Sequence, residues 1–345
     1  MRIATFFFVF LANSVIAEPI KVITDIPPVQ SLVAAVMEGI GTPDLILPPG
    51  ASPHDFALRP SIAQSLENSD IVFWIGPELT PQLEDPIENL ATNALSLSLL
   101  TVPNTVLLPY RDTALLESDS HDEHHDSHHD EHGEEHHDEH ADKHESHSVE
   151  HDDHHKEHDE NHSTDHAHHH HHHDGNDAHA WLDLKNGQIW LTAIAEALAN
   201  ADPENTVIYH ENAEKAKLRL NQIEVNIANK LKQKEAISFV VYHDAYQYFE
   251  NRFDLSSRGS IVVSDVESPS AARVARIRDI IREEKIACVF SEPQLNPQLV
   301  NAIFESENVV VSQIDPIGAF LEPGPTLYEN LLLDLAKNVA PCIEK

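Results

Sequence analysis

The stretch 203–235 constrains this chain most. No Gly or Pro follows Pro203 there, and apolar residues recur at Tyr209, Ala213, Ala216, Leu220, Ile223, Ile227 and Leu231. Steps of four and three put them on one face of a helix. Asp202 is a good N-cap, and Pro203 suits the first turn. A helix of about 30 residues is roughly 45 Å long. That is long for one small lobe, so it is expected to run along two. The chain has 345 residues, room for two full cores.

Both flanks of this helix alternate strand with helix. Before it, 21–26, 45–47, 71–75 and 105–108 read as strands, with helices at 29–39, 60–68 and 184–200. After it, strands are expected at 237–242, 261–263, 286–290 and 309–314. Helices are expected at 245–253, 270–284, 297–306 and 326–339. The class is α/β, with two lobes, each a mainly parallel four-stranded sheet flanked by helices, bridged by one long rigid helix. The expected limits are 18–202 for the first lobe, 203–235 for the linking helix and 236–345 for the second lobe. Ligands of such sheets sit beyond the carboxyl ends of strands, and clefts between lobes are favoured sites.

Residues 1–17 read as a cleavable secretory signal. Arg2 gives a positive start, 3–12 is an apolar run, and Val15-Ile16-Ala17 offers a cleavage site. The run is too short to span a bilayer. No Cys follows it, so lipid attachment has no site. An exported, soluble protein of a bacterial periplasm is expected. The net charge of −36 and the lack of a basic patch exclude nucleic acid as a natural partner. Cys288 and Cys342 are the two cysteines. In an oxidising compartment an even pair suggests one disulfide, and two buried free thiols is the alternative.

The segment 117–177 holds 23 of the 27 histidines, from His121, His124 and His125 to the run His168, His169, His170, His171, His172 and His173. It also carries 22 acidic residues against Lys143 and Lys156. With so little apolar surface to bury, it is expected to be disordered. Neutral imidazoles in that number suit metal binding. The alternatives are an acidic solvated linker and a purification tag, and the internal position weighs against a tag. Repeated ligands without a scaffold do not define one site.

Four histidines lie elsewhere. His54 follows the second strand, His179 stands where the ordered chain resumes, and His243 ends the fifth strand. Each alone reads more naturally as a loop histidine with a local hydrogen bond. Three at such places in two lobes favour a shared role. His210 sits in the long helix and reads as a solvated residue.

The stretches 47–61 (LPPGASPHDFALRPS), 71–78, 178–182 (AHAWL), 239–249 (FVVYHDAYQYF), 288–294 and 314–318 together resemble the zinc-binding receptors of bacterial ABC importers. These are the ZnuA-type members of the cluster A-I metal receptors. The resemblance covers nearly the whole mature chain, and an acidic His-rich insertion is a hallmark of the zinc branch. It implies two α/β lobes on one stiff helix and Zn(II) held in the cleft by His54, His179 and His243. It also implies a Cys288–Cys342 disulfide. Asp315 aligns with a carboxylate ligand of manganese relatives, and here is an optional fourth ligand or a partner of one. Asp55 and Asp244 have no role beyond support of the ligands. Some zinc members carry a carboxylate just before the first histidine. Here Pro53 stands there, so water or Asp315 must fill the fourth position.

Three imidazoles and one open position suit tetrahedral Zn²⁺, and nitrogen at His243 disfavours Mn²⁺. The resemblance implies a monomeric receptor, not an enzyme, that delivers Zn(II) to an importer permease. The competing readings are an exported zinc-sequestering protein and a zinc-dependent hydrolase. Against the hydrolase, no His-Glu-x-x-His motif is present.

Overall fold

The computed structural model describes residues 19–48, 50–54, 57–111, 175–232, 238–262, 270–293 and 307–343, with 300 and 304. The expected signal, 1–17, lies outside them. So does 119–173, which contains the histidines from His121 to His173.

In the first lobe β1 (Val22–Thr24), β2 (Asp44–Leu45), β3 (Ile71–Trp74) and β4 (Leu95–Ser98) form one parallel sheet in the order β2-β1-β3-β4. Ile23 pairs with Val72, and Val72 with Ser96. β1 and β3 are buried throughout, as continuous apolar runs in a two-sided sheet require. α1 (Pro27–Val36) starts on two prolines, which need no N–H partner in a first turn. α2 (Pro60–Glu67) starts on one proline, and α3 (Glu84–Leu90) leads into β4.

The expected strand at 105–108 is not one. The Val106 N–H donates to Asn186 Oδ1 and the Leu108 N–H to Tyr248 Oη, so side chains occupy the donors a ladder would use. The fourth strand is β4, Leu-Ser-Leu-Ser, whose alternation suits a half-exposed sheet edge.

α4 (Leu184–Ala201) is capped by Asp183, whose carboxylate accepts from the Lys185 N–H. A 3₁₀ turn over Pro203–Asn205 leads into α5 (Thr206–Lys230), the long helix. It ends at Lys230 with Leu231 as C-cap, short of the expected 235, so its length is about 37 Å. The anticipated stripe is the buried one. α5 packs along α4 and against α1 and the C-terminal helix, and so joins the two lobes.

The second lobe has β5 (Phe239–Val241), β6 (Cys288–Ser291) and β7 (Val310–Gln313), parallel and in that order. Its helices are α6 (Gln247–Arg252), α7 (Ala271–Glu283) and α8 (Leu327–Ile343). Among the described residues this sheet has three strands rather than four. At the expected strand 261–263, described as far as Val262, the chain makes an isolated parallel bridge one residue earlier, Ser260 to Val241; the Ile261 N–H is shared between Val241 O and Tyr242 O, and the Val262 N–H donates to Tyr242 O. Most of the expected helix at 297–306 lies outside the described residues. α8 runs past Val339 and through Pro341, where the sequence predicts a stop. Cys342, on that last turn, is bonded to Cys288 on β6. No described helix is long and apolar enough to cross a membrane.

Candidate metal centre

Three loops converge: two follow the carboxyl ends of β2 and β5, and one follows the isolated bridge of Asn176 to Pro109. The first follows β2. Gly50 has a φ of 76°, a left-handed turn that glycine accepts readily, and the His54 N–H donates to Ser52 Oγ. Gln82 Nε2 donates to Pro53 O and fixes the loop to the lobe. His54 is half-buried; Asp55 lies outside the described residues.

The second loop carries His179, 6% exposed, just before a 3₁₀ turn at Ala180–Leu182. Asp177 Oδ1 accepts from the His179 backbone N–H at 3.0 Å and meets its Nδ1 at 2.7 Å. Trp181, fully buried, donates from Nε1 to Pro316 O across to the second lobe. The third loop follows β5 and carries His243, 4% exposed, whose Nδ1 lies 2.5 Å from Glu292 Oε1. Tyr246 Oη donates to the same oxygen.

The rings of His54, His179 and His243 lie 5.4, 5.5 and 6.1 Å apart between centroids. One ligand atom from each falls within 4.8 Å of the others. Two imidazole nitrogens on one tetrahedral Zn²⁺ stand about 3.4 Å apart, so an ion would draw them together by roughly an ångström. His179 Nε2 is buried without a hydrogen-bond partner, as a nitrogen reserved for an ion would be. The cavity between the rings is lined by Pro53, His54, His179, His243, Glu292, Pro316 and Ile317 and has a volume of about 10 Å³. It admits one atom of water size.

The structure thus brings together His54, His179 and His243. It does not bring in Asp315, which is absent from that lining. Asp315 Oδ1 accepts from the Ile317 and Gly318 N–H groups, and burial pushes its carboxyl above the usual range. Asp244 forms a two-pronged ion pair with Arg111, which also grips Glu250. His210 is exposed on α5.

Sequence reasoning missed two residues. Asp177 read as the last member of the polar field, yet it is 2% exposed, and its N–H donates to Leu108 O as part of the fold. Its spacing, Asp-x-His, was the available signal. Glu292, also 2% exposed, has no local signal, since it stands 49 residues from His243.

The profile of the ZnuA family, described as "Zinc-uptake complex component A periplasmic", matches residues 22–342. The high-affinity zinc uptake system protein ZnuA of Brucella suis is 39% identical over 336 residues, 97% of this chain and 95% of that protein. Its namesake from Paracoccus denitrificans is 42% identical over 328 residues, 95% and 93% of the two chains. The crystal structure of ZnuA superposes with a TM-score of 0.67 at 17% identity, over 94% of this chain and 100% of that one. FpvC from Pseudomonas aeruginosa in complex with Mn2+ gives 0.70 at 16%, over 95% and 99%. At those identities the two structures speak to fold alone. The family match and the two sequence relatives carry the assignment: this chain belongs to the ZnuA family of periplasmic zinc-uptake components.

Proposed function

We propose that this protein is a periplasmic receptor that captures Zn(II) through His54, His179 and His243 and delivers it to the permease of an ABC-type importer. The observation that carries the reading is the meeting of three imidazoles from two lobes around a cavity of atomic size. Zn(II) is the cargo. Three neutral nitrogens leave one tetrahedral position, which we assign to water because Asp315 Oδ1 is engaged in its own turn.

In this reading 1–17 is a removed leader, and the protein works as a monomer with lobes at 18–202 and 236–345 about the linker 203–235. The segment 117–177 is an accessory collector of metal. Its end is redrawn, because Asn176 pairs with Pro109 and Asp177 supports His179.

The test is a calorimetric titration with Zn(II) of the mature chain and of a chain lacking 119–173. One tight site should survive the deletion while weaker ones disappear. Loss of all tight binding would place the site in the deleted segment and overturn the proposal.

A further inference from the structure

We propose that Asp177 and Glu292 set the charge preference of this site, two buried carboxylates matched to one divalent cation. The inference rests on the reading of His54, His179 and His243 as ligands. Three imidazoles that bind a metal are neutral, so the ligand set itself carries no charge. A dication in so enclosed a place would lack compensation, and burying an uncompensated charge is costly. The two carboxylates supply it from one imidazole away. Asp177 Oδ1 lies 2.7 Å from His179 Nδ1, and Glu292 Oε1 lies 2.5 Å from His243 Nδ1. Both carboxylates are 2% exposed.

The same bonds fix the tautomers. A carboxylate only accepts, so each Nδ1 carries the hydrogen and each Nε2 keeps the lone pair. The buried, unpartnered Nε2 of His179 agrees. Neighbouring acids are engaged otherwise. Asp244 and Glu250 are held by Arg111. Asp315 lies near enough to Glu292 for their charges to interact, but its Oδ1 is held by backbone N–H groups and it stands outside the cavity. Asp177 and Glu292 are therefore positioning residues that act through the histidines and also select for charge.

The prediction separates charge from structure. A carboxylate attracts a dication twice as strongly as a monocation at the same distance. Asp177→Asn and Glu292→Gln keep an oxygen acceptor for the imidazole and remove the charge, with an NH2 group in place of the other oxygen. The full chain and both variants would be titrated with Zn(II) and with Ag(I), a redox-stable monovalent ion. Occupancy would be read from tryptophan fluorescence, since the Trp181 ring lies 5.2 Å from that of His179. A Trp181→Phe chain identifies the reporting signal.

Each variant should weaken Zn(II) on the order of tenfold to 100-fold. The shift in log Kd for Ag(I) should be about half that for Zn(II). Equal shifts for the two ions would mean a structural role only, and unchanged Zn(II) binding would remove any role. A comparable differential shift in Asp315→Asn would show that contact with the imidazole is not needed. Each of these three results overturns the proposal. Wild-type chain that binds no Zn(II) tightly would instead overturn the receptor reading.

Discussion

In the first lobe His179 is braced by Asp177, two residues away; in the second His243 is braced by Glu292, 49 residues away. The chemistry is the same, a buried carboxylate on Nδ1. The routes differ. Asp177 Oδ1 also accepts the His179 backbone N–H, so one tight turn makes both bonds. The second pair needs β5 and β6 in register, with Val241 beside Phe290, before His243 and Glu292 can meet. A local pair depends on a loop, and a distant pair depends on a sheet. The second half of the site should therefore be the more sensitive to loss of tertiary structure.

The largest expected effect treats the two pairs alike. His179→Ala and His243→Ala should each lower Zn(II) affinity by about 1000-fold or more, beyond the range commanded by residues outside the ligand set. His210→Ala, on the exposed side of α5, should leave it unchanged. Calorimetry with a competing chelator checks all three. A large loss in His210→Ala would break the assignment.

Removing the disulfide should separate the pairs. The bond spans 54 residues, and its loss should cost about 4 kcal/mol in a urea melt of Cys288→Ser with Cys342→Ser. Cys288 opens the strand that leads to Glu292. Amide exchange should therefore rise at β5 and β6 before it rises at β1. Uniform exchange across both sheets would erase the distinction.

The next effect depends on pH and concerns a carboxylate with no imidazole beside it. Burial pushes the Asp25 carboxyl up to about 7, against the pull of the Ile75 and Ile26 N–H donors. Unfolded Asp ionises near 4, so between about pH 4 and 7 the folded state holds the extra proton. Stability from this group is greatest at the acid end of that window and falls as pH rises toward 7. Thermal melts across the window should show this slope flattened in Asp25→Asn. An unchanged slope would remove Asp25 as its source.

The smallest effects compare the outer braces. Tyr248 Oη receives the Leu108 N–H and donates to Asp177 O, so Tyr248→Phe should cost about 2 kcal/mol, leaving a partly buried donor unmatched. Tyr246 Oη donates to Glu292 Oε1 at 3.2 Å, and Tyr246→Phe should cost about 1 kcal/mol. Chemical denaturation ranks them. The reverse order would mean that the distant pair relies on its tyrosine more than the local one does.

Much of the fold was legible because its signals are local. Buried runs such as 71–75 and the stripe on α5 announce their period wherever they stand. The failures have equally local causes. The serines of 95–98 hid an edge strand, while Val106 and Leu108 looked strand-like but gave their N–H groups to Asn186 and Tyr248. Pro341 marked an end to α8 that a crosslinked last turn did not obey. In the site, the histidines stood out by residue type and, for His54 and His243, by their place after strands. Asp177 was hidden in an acidic field whose other members look identical in sequence.

By itself, the sequence determined two α/β lobes about one helix, three histidines in loops outside the His-rich segment, and the acidic, His-rich composition of 117–177. Those follow from periodicity, residue type and apolar content, all carried by the chain itself. Only the tertiary structure decided that the three imidazoles share one atom-sized cavity, that Asp315 faces its own turn, and that Glu292 braces His243. The physical reason is distance along the chain. Contacts between residues tens of positions apart are set by sheet register and lobe packing, and neither leaves a local mark.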